Sequence, residues 1–342
     1  MKAGPSAVPG GERGAPMVVG TRPLVFPFPA IVGQEAAKRA LLLAVVNPRV
    51  GGVLLLGEKG TAKTTAVRGL AALLPEIPVV AGCPFNCHPG EPALCCPRCR
   101  AARERGEELP AARRPVPVVE LPLSADLERL VGTVRLEEAV RQGRACLEPG
   151  LLAAANRGIL YVDEINLLPA HLADALLDAA ASGVQLVQRE GLAAAHPAHF
   201  LLVGTMNPEE GDLRPQFLDR FGLAVAVEAE RDARARAEIV RRRLAFEEDP
   251  AGFVRAWVRE EERLRRSLAA ARHLLPAVRV GEPALARAVE LAKWAGAAGH
   301  RADIVLVEAA RALAAWQGRT LVRPEDVEAV CELALGHRLP RR

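Results

Sequence analysis

The feature that most constrains this chain is a glycine-containing loop between an apolar run and a helical segment. The loop extends from Gly57 to Thr64 and follows the apolar residues at 53–56. Residues 64–74 have helical spacing, and Pro75 would end that helix. Backbone amides in such a loop, together with the N-terminus of the following helix, can hold a polyphosphate. The sequence therefore predicts a strand, a phosphate-binding loop and a helix, in that order.

Within this loop, the charged and polar residues have predicted tasks in nucleotide binding. Lys63 would reach the β- and γ-phosphates of ATP, and the Thr64 hydroxyl would ligate Mg²⁺. The position before the lysine, usually glycine, is Ala62, which is acceptable if its φ stays negative because Gly57 and Gly60 keep the loop flexible. The alternative is a fortuitous glycine-rich turn with an exposed lysine. The predicted nucleotide-binding residues here are Gly57, Glu58, Lys59, Gly60, Thr61, Ala62, Lys63, Thr64 and Thr65.

Two acidic residues directly follow a second apolar run, Ile159–Val162. Such a run predicts a buried strand, and ligands bind beyond the carboxyl ends of the strands in open α/β sheets. Asp163 is therefore predicted to hold the Mg²⁺ shell, and Glu164 to orient or deprotonate the attacking water. Two acids that merely end a strand at the surface are the alternative, which the upstream phosphate-binding loop disfavours.

Four further side chains are candidates for sensing the γ-phosphate or neutralising charge in the transition state. Asn207 follows a third apolar run at 200–205 and would polarise the water, although an asparagine before a proline also suits an ordinary turn. Arg220 is predicted to reach the nucleotide of a neighbouring subunit, with Arg214 sharing that task. Arg301 would reach the phosphates within its own subunit. A surface ion pair is the alternative for each arginine.

Repeated buried strands with helical crossovers predict an α/β fold, with a parallel sheet covered by helices on both faces. Strand-like runs stop after Glu230, and helical segments continue to the end. We therefore predict a disordered tail rich in glycine and proline at residues 1–24, a nucleotide-binding domain at 25–245 and a smaller all-helical domain at 246–342. Met17 is an alternative start of the chain.

Charge and hydropathy exclude several classes of protein. The 45 basic and 41 acidic residues are interspersed and give a net charge of +4. No concentration of basic or aromatic residues marks a nucleic-acid-binding surface. No run approaches the roughly 20 apolar residues needed to cross a bilayer, and no signal-peptide pattern begins the chain. The sequence predicts a cytoplasmic protein without membrane contact, for which nucleic-acid binding is disfavoured.

Cysteines are concentrated in a predicted insertion at residues 82–114, which contains five of the seven in the chain. In a reducing compartment, this pattern indicates metal or redox chemistry rather than disulfides. Buried free thiols, a redox thiol pair and an iron–sulfur cluster are open alternatives to zinc. Two closely spaced pairs could close a tetrahedral Zn²⁺ site, which would be structural because protein fills every position. Its predicted ligands, with Cys95 able to replace Cys96, are Cys83, Cys87, Cys96 and Cys99.

Six segments of the chain together resemble the ATPase (I) subunit family of magnesium chelatase, which belongs to the AAA+ ATPases. The resemblance covers nearly everything from Phe26 to His337. Ile31-Val32-Gly33-Gln34 also resembles the family's N-terminal segment beside the adenine. The cysteine-rich insertion differs from the photosynthetic members and is more similar to bacterial relatives thought to serve cobalt chelation or an unassigned substrate. The six segments are Gly57–Thr64, Glu148–Arg157, Gly158–Glu164, Gly204–Gly211, Leu213–Gly222 and Gly299–Asp303.

This resemblance implies the AAA+ fold, in which a P-loop sheet domain precedes a smaller helical lid domain. It also implies a hexameric ring and a nucleotide base beside Ile31 and Val32. The implied roles are Walker A at residues 57–64, Walker B at Asp163 and Glu164, sensor 1 at Asn207, an arginine finger at Arg220 and sensor 2 at Arg301.

The implied function is that of an ATP-hydrolysing motor that drives insertion of Mg²⁺ or Co²⁺ into a tetrapyrrole. Its implied partners are a subunit with an integrin-like metal-binding domain and a large porphyrin-binding subunit. Two other functions stay open. One is a chaperone-like ATPase, similar to the MoxR group, that remodels a partner with a metal-binding adhesion domain. The other is a nucleic-acid-remodelling ATPase, which the charge distribution disfavours.

Overall fold

The structure is a computed structural model, and it describes residues 24–58, 60–135, 146–189, 192–297 and 299–338. The tail predicted at 1–24 lies outside the described residues except for Leu24, and so do Met17 and Lys59. None of the helices in the described part of the chain is long and apolar enough to cross a membrane.

Strands and helices alternate through the first part of the chain, as predicted. The strands are β1 (Gly52–Leu56), β2 (Ile77–Val80), β3 (Ala111–Arg114), β4 (Val118–Glu120), β5 (Gly132–Arg135), β6 (Cys146–Pro149), β7 (Ile159–Val162), β8 (Val184–Arg189), β9 (Leu192–Pro197), β10 (Leu201–Met206), β11 (Phe221–Ala226), β12 (Arg279–Val280) and β13 (Leu321–Val322). The helices are α1 (Glu35–Val46), α2 (Lys63–Leu73), α3 (Pro97–Glu104), α4 (Leu127–Val131), α5 (Leu151–Ala155), α6 (Ala170–Ser182), α7 (Pro215–Arg220), α8 (Ala233–Glu248), α9 (Pro250–Leu274), α10 (Glu282–Trp294), α11 (Arg301–Trp316) and α12 (Pro324–Leu335).

Five of these strands form the predicted parallel sheet, in the order β11-β1-β10-β7-β4. β1 lies between β10 and β11, and β10 also pairs with β7. The carboxyl ends of β1, β10 and β7 are therefore adjacent at one end of the sheet. The phosphate-binding loop, Asn207 and Asp163 follow these three strand ends, so the sheet order brings the predicted site together.

Side chains of β1 alternate between two apolar cores, as the pleat of a strand requires. Val53 and Leu55 face the core formed with α1, α2 and the C-terminal helices, whereas Leu54 faces the core that α5, α6 and α7 cover. All three side chains are fully buried. Helices thus cover both faces of the sheet, as predicted from strands that are apolar throughout.

The C-terminal region is helical from α8 to α12, with one short exception. β12 and β13 pair in parallel over two residues each, a length too short for a hydrophobic period to reveal. The predicted domain boundary between residues 245 and 246 falls inside α8. Phe26 packs against Phe246 of α8 and Phe253 of α9, with ring centroids 5.3 and 5.2 Å apart. These contacts hold α8 against the N-terminal segment.

The cysteine-rich insertion leaves the sheet domain through β2 and returns through β3. These two strands pair antiparallel, from Ile77 opposite Arg114 to Val80 opposite Ala111. Most of the segment between them is loop, apart from a single 3-10 turn and α3. A small core of its own forms there around the cysteines, separate from the two cores of the sheet domain.

Candidate nucleotide site and cysteine cluster

Two positions of the phosphate-binding loop, Gly57 and Ala62, have backbone conformations that favour small residues. Gly57 has φ +150°, and a Cβ added there would lie 2.1 Å from the carbonyl oxygen of Val227. Ala62 has φ +64° and ψ 19°, so the condition of a negative φ, under which an alanine would fit without strain, is not met. A left-handed residue beside a right-handed one is a backbone pattern that forms anion-binding nests, and Ala62 has this conformation directly before α2, which begins at Lys63. A Cβ in that conformation costs roughly 1–2 kcal/mol.

Lys63 is held within the loop by backbone carbonyl groups. Its ammonium donates hydrogen bonds to the carbonyl oxygens of Gly57, at 2.6 Å, and Glu58, at 2.8 Å. The Thr61 hydroxyl donates to the same Glu58 oxygen, at 2.9 Å. These bonds place the positive charge among the loop amides, where a phosphate would bind.

A chain of hydrogen bonds connects the phosphate-binding loop to the acidic strand end. The hydroxyl oxygens of Thr64 and Tyr161 are 2.8 Å apart, and the Tyr161 hydroxyl donates to Asp163 Oδ1 at 2.9 Å. Because the tyrosine has one hydroxyl hydrogen, Thr64 must donate to Tyr161. Burial raises the pKa of Tyr161, which keeps this donor protonated. Thr205 Oγ1 also donates to Asp163 Oδ1, and it accepts a bond from the Glu164 amide at 3.1 Å.

Sequence reasoning missed Tyr161 and Thr205, although both could be found once the strand order is known. Tyr161 precedes Asp163 by two residues and so lies on the same side of β7. Val203 of β10 is opposite Tyr161, which places Thr205 beside Asp163. The missing information was the pairing of β7 with β10.

Glu164 also has a strained backbone. Its φ is 51° and its ψ is 51°, a left-handed conformation that costs a residue with a side chain on the order of 1–3 kcal/mol. The chain changes direction at Glu164, and a short 3-10 turn, Ile165–Leu167, follows directly. Such strain is common where a side chain must point into a site.

The strand ends open into a cleft of about 660 Å³, a volume typical of small-ligand sites. The sequence predicted many of its lining residues, including Ile31 and Val32. It did not predict that α8 forms one wall. The residues of α8 that line the cleft are Arg236, Ile239, Val240, Arg242 and Arg243.

Arg242 fixes this wall in place. It donates a hydrogen bond to the carbonyl oxygen of Ala30 at 2.9 Å, and its guanidinium lies 4.8 Å from the ring centroid of Trp257. The many arginines of α8 conceal this packing in the sequence, because such a helix reads as solvent-exposed on all sides.

The predicted arginines lie elsewhere. Among the described residues that line the cleft, none is Arg214, Arg220 or Arg301. Arg220 ends α7, and Arg301 begins α11 with an exposed side chain. A contact from Arg220 or Arg214 to a second subunit cannot appear in a single chain, and the role of Arg301 stays a prediction.

Four of the cysteines meet in the insertion. The sulfur of Cys83 lies 3.4 Å from Cys87, 3.6 Å from Cys99 and 3.9 Å from Cys96, and the four Sγ atoms all lie within 4.8 Å of one another. Cys95 points away, with its sulfur 3.4 Å from the carbonyl oxygen of His88. Hydrogen bonds with Cys87 and Cys96 lower the pKa of Cys83, so the cluster favours a negatively charged sulfur there.

Comparison with known proteins places this fold and site in one family. A family model described as magnesium chelatase, subunit ChlI, matches residues 136–217, and one described as an AAA lid domain matches residues 285–342. The chain is 52% identical over 317 residues to the magnesium-chelatase 38 kDa subunit of Acidiphilium rubrum, covering 93% of this chain and 92% of that protein. It is 49% identical over 318 residues to a magnesium-chelatase subunit ChlI homolog of Methanocaldococcus jannaschii, covering 93% and 86%.

Solved structures agree with these relatives. A chain in a structure of the complex between subunits BchI and BchD of magnesium chelatase is 46% identical, with a TM-score of 0.56 and coverage of 94% of this chain and 98% of that one. A crystal structure from Cytophaga hutchinsonii, at 20% identity and a TM-score of 0.57 over 91% of this chain and 84% of that one, shares the fold alone. The identities to the curated relatives extend over nearly the whole chain, and on that basis it belongs to the family of magnesium-chelatase ChlI subunits, within the AAA+ ATPases.

Proposed function

We propose that this chain binds and hydrolyses ATP as the motor of a chelatase complex that inserts Mg²⁺ or Co²⁺ into a tetrapyrrole. The observation that supports it best is the chain of hydrogen bonds from Thr64 through Tyr161 to Asp163. This chain joins the phosphate-binding loop to the acidic strand end inside one cleft. Names of the relatives supply the class of substrate.

The residues present suit a magnesium nucleotide. A hydroxyl on Thr64 and a carboxylate on Asp163 are hard oxygen donors, which Mg²⁺ prefers, and Tyr161 holds both in place. Bound Mg²⁺ would help neutralise the charge of the β- and γ-phosphates. Lys63 and the loop amides would bind the same phosphate oxygens.

Glu164 is proposed as the base for hydrolysis. Its carboxylate would take a proton from the attacking water while the water oxygen bonds to the γ-phosphorus. The bond from that phosphorus to the β,γ-bridging oxygen then breaks, and ADP and phosphate leave. Asn207, at the end of β10, would orient the same water, and it lines the cleft together with Glu164.

The base of the nucleotide is proposed to lie between the N-terminal segment and α8. Ile31 and Val32 face the cleft from one side, and Ile239 and Val240 from α8. Ile239 and Val240 are 40% and 56% exposed, so they offer apolar surface inside the cleft that a nucleotide base could cover. Arg236 and Arg243 of the same helix also line the cleft and would add positive charge to it.

The assembly is also part of this proposal. We expect a hexameric ring in which Arg220, helped by Arg214, reaches a neighbour's γ-phosphate, while Arg301 acts within its own subunit. The same proposal places the boundary between the sheet and lid domains near residue 246. It also includes a cytoplasmic location and the two partner subunits. The solved complex of BchI with BchD supports one partner by analogy.

ATP hydrolysis by the purified chain tests this function. Turnover is measured alone, with candidate chelatase subunits encoded nearby, and with single-stranded DNA as a control. We expect Mg²⁺-dependent turnover that the chelatase subunits change and DNA does not. Turnover that responds only to DNA, or no turnover in any mixture, would contradict the proposal.

A further inference from the structure

The geometry of the cysteine cluster fits a single tetrahedral ion. Four thiolates at about 2.3 Å from one zinc stand about 3.8 Å apart from each other. The three sulfur separations from Cys83 are 3.4, 3.6 and 3.9 Å, and every pair in the cluster lies within 4.8 Å. We propose that Cys83, Cys87, Cys96 and Cys99 bind one structural Zn²⁺.

The same separations disfavour the other uses of four cysteines. In an iron–sulfur cube, each cysteine binds a different iron, which spreads the sulfurs further apart than one shared ion does. A disulfide has its sulfurs about 2.05 Å apart, and the described cysteine side chains of the insertion are all free thiols. Cys87, Cys96 and Cys99 are at most 5% exposed, so exchange with solvent thiols is hindered.

The surroundings compensate the negative charge that four thiolates around Zn²⁺ retain. The backbone N–H of Cys96 donates to the sulfur of Cys87 at 3.0 Å. Arg157 is partly buried and donates a hydrogen bond to the carbonyl oxygen of Asn86 at 3.0 Å, which places a positive charge beside the residue that precedes Cys87. Residues 82–114 contain six arginines and four glutamates.

Few apolar side chains are buried in the described part of the insertion. Among the described residues, Phe85 is the only large apolar side chain buried in this core; Val80, Ala153 and four cysteines are buried with it, and Leu109 and Leu147 pack against it partly exposed. Loops with so few apolar contacts gain their folding free energy from the metal in other small zinc sites.

Metal binding at the cluster would fix the position of a loop that is hydrogen-bonded to the sheet domain. Asn86 lies between Cys83 and Cys87, and its side-chain amide donates to the carbonyl oxygens of Ala154, at 3.0 Å, and Asn156, at 3.1 Å. The side-chain amide of Asn156 donates a hydrogen bond to the carbonyl oxygen of Phe85 at 2.7 Å. These contacts fall just before β7, the strand that Asp163 directly follows. Zinc binding would therefore hold the insertion against the segment that leads into β7.

Metal analysis of the full chain tests the site. We expect about one zinc per chain, falling to near zero in Cys83→Ser and in Cys99→Ser. Cys95→Ser is the matched control, because this cysteine is equally buried but points to His88, and it should keep its zinc.

A second measurement covers variants that fail to fold. Mercurial titration of the native wild-type thiols should release the zinc as the cluster thiols are blocked, and Co²⁺ substitution should give the visible bands of tetrahedral thiolate coordination. The proposal is overturned if the chain is metal-free with freely titrating thiols, if it carries iron with visible absorbance, or if Cys95→Ser loses zinc as completely as Cys83→Ser.

Discussion

The nucleotide cleft and the cysteine insertion both collect side chains that are distant in sequence, but different forces hold them together. In the cleft, the pairing of β7 with β10 places Asp163 beside Thr205 before any ligand is considered. In the insertion, none of the four clustered cysteines lies on a strand, and few apolar side chains surround them. A sheet can hold a site ready for its ligand, whereas loops of this kind need the ligand to hold them.

The largest expected effect comes from Arg220, which does not line the cleft of its own chain. Arg220→Ala should retain ATP binding and lose hydrolysis by about 10³-fold, because an arginine finger acts on charge in the transition state. Steady-state turnover and nucleotide titration separate the two effects. Arg287→Ala, which removes an exposed ion pair with Glu328, is the control and should change neither.

Mixing two inactive variants tests whether Arg220 acts between subunits. Some interfaces in rings of Arg220→Ala and Glu164→Gln subunits would combine an intact Arg220 with an intact Glu164, so partial activity should return. If rings shown to contain both variants recover no activity, Arg220 does not act between subunits. Hydrolysis in the cleft would then need no arginine from a neighbouring subunit.

Within the cleft, Lys63 and Glu164 should separate binding from turnover. Lys63→Ala nearly abolishes nucleotide binding, since the ammonium contacts phosphate charge in the ground state. Glu164→Gln leaves binding intact and lowers turnover by roughly 10²-fold or more, because it acts on the attacking water. The measurement is nucleotide affinity beside turnover number, with zinc content unchanged in both variants. An equal loss of affinity in both would refute these roles.

Zinc removal should expose the difference between the two regions directly. On chelation, amide exchange in residues 83–104 is expected to accelerate by about 10²-fold, whereas β1 and β7 should keep most of their protection because the sheet supports them. Hydrogen exchange with mass spectrometry resolves the segments. Equal acceleration in β1 would mean that the sheet also depends on the metal, and the contrast would fail.

Tyr161→Phe tests whether the cleft depends on its hydrogen-bond chain. Removing the hydroxyl leaves Thr64 without its acceptor and Asp163 without one donor, at an expected cost of about 1–3 kcal/mol. The Mg²⁺ concentration for half-maximal turnover should rise by about tenfold, and the free energy of unfolding should fall by about 1–3 kcal/mol. If Mg²⁺ dependence is the same as in the wild type, Tyr161 only fills space.

The smallest expected effect is at Ala62. Ala62→Gly should raise the free energy of unfolding by up to about 1 kcal/mol, because glycine accepts the positive φ without a Cβ clash. Urea unfolding measures it. Ala66→Gly, within α2, is the control and should act in the opposite direction by about 1 kcal/mol. A loss of stability in both variants would show that the left-handed turn carries no strain.

The parts of the molecule predictable from sequence are those with a local signature. The loop at residues 57–64, the acids after β7 and the four cysteines follow from spacing and residue type alone. The rest depends on contacts between residues that are distant in sequence. These contacts place Cys96 rather than Cys95 in the cluster, Thr205 beside Asp163, and α8 along one wall of the cleft. The positive φ of Ala62 could not be read from the sequence, because an alanine at this position gives no sign of a left-handed backbone.

Tyr161 is the only tyrosine in the chain, and it stands at the junction of Thr64 and Asp163. Incorporating fluorotyrosine therefore places a single magnetic-resonance label inside the candidate site without any substitution. Its signal would follow the occupancy of the cleft in each subunit of an intact assembly, and two resolved signals would reveal subunits in unequal states.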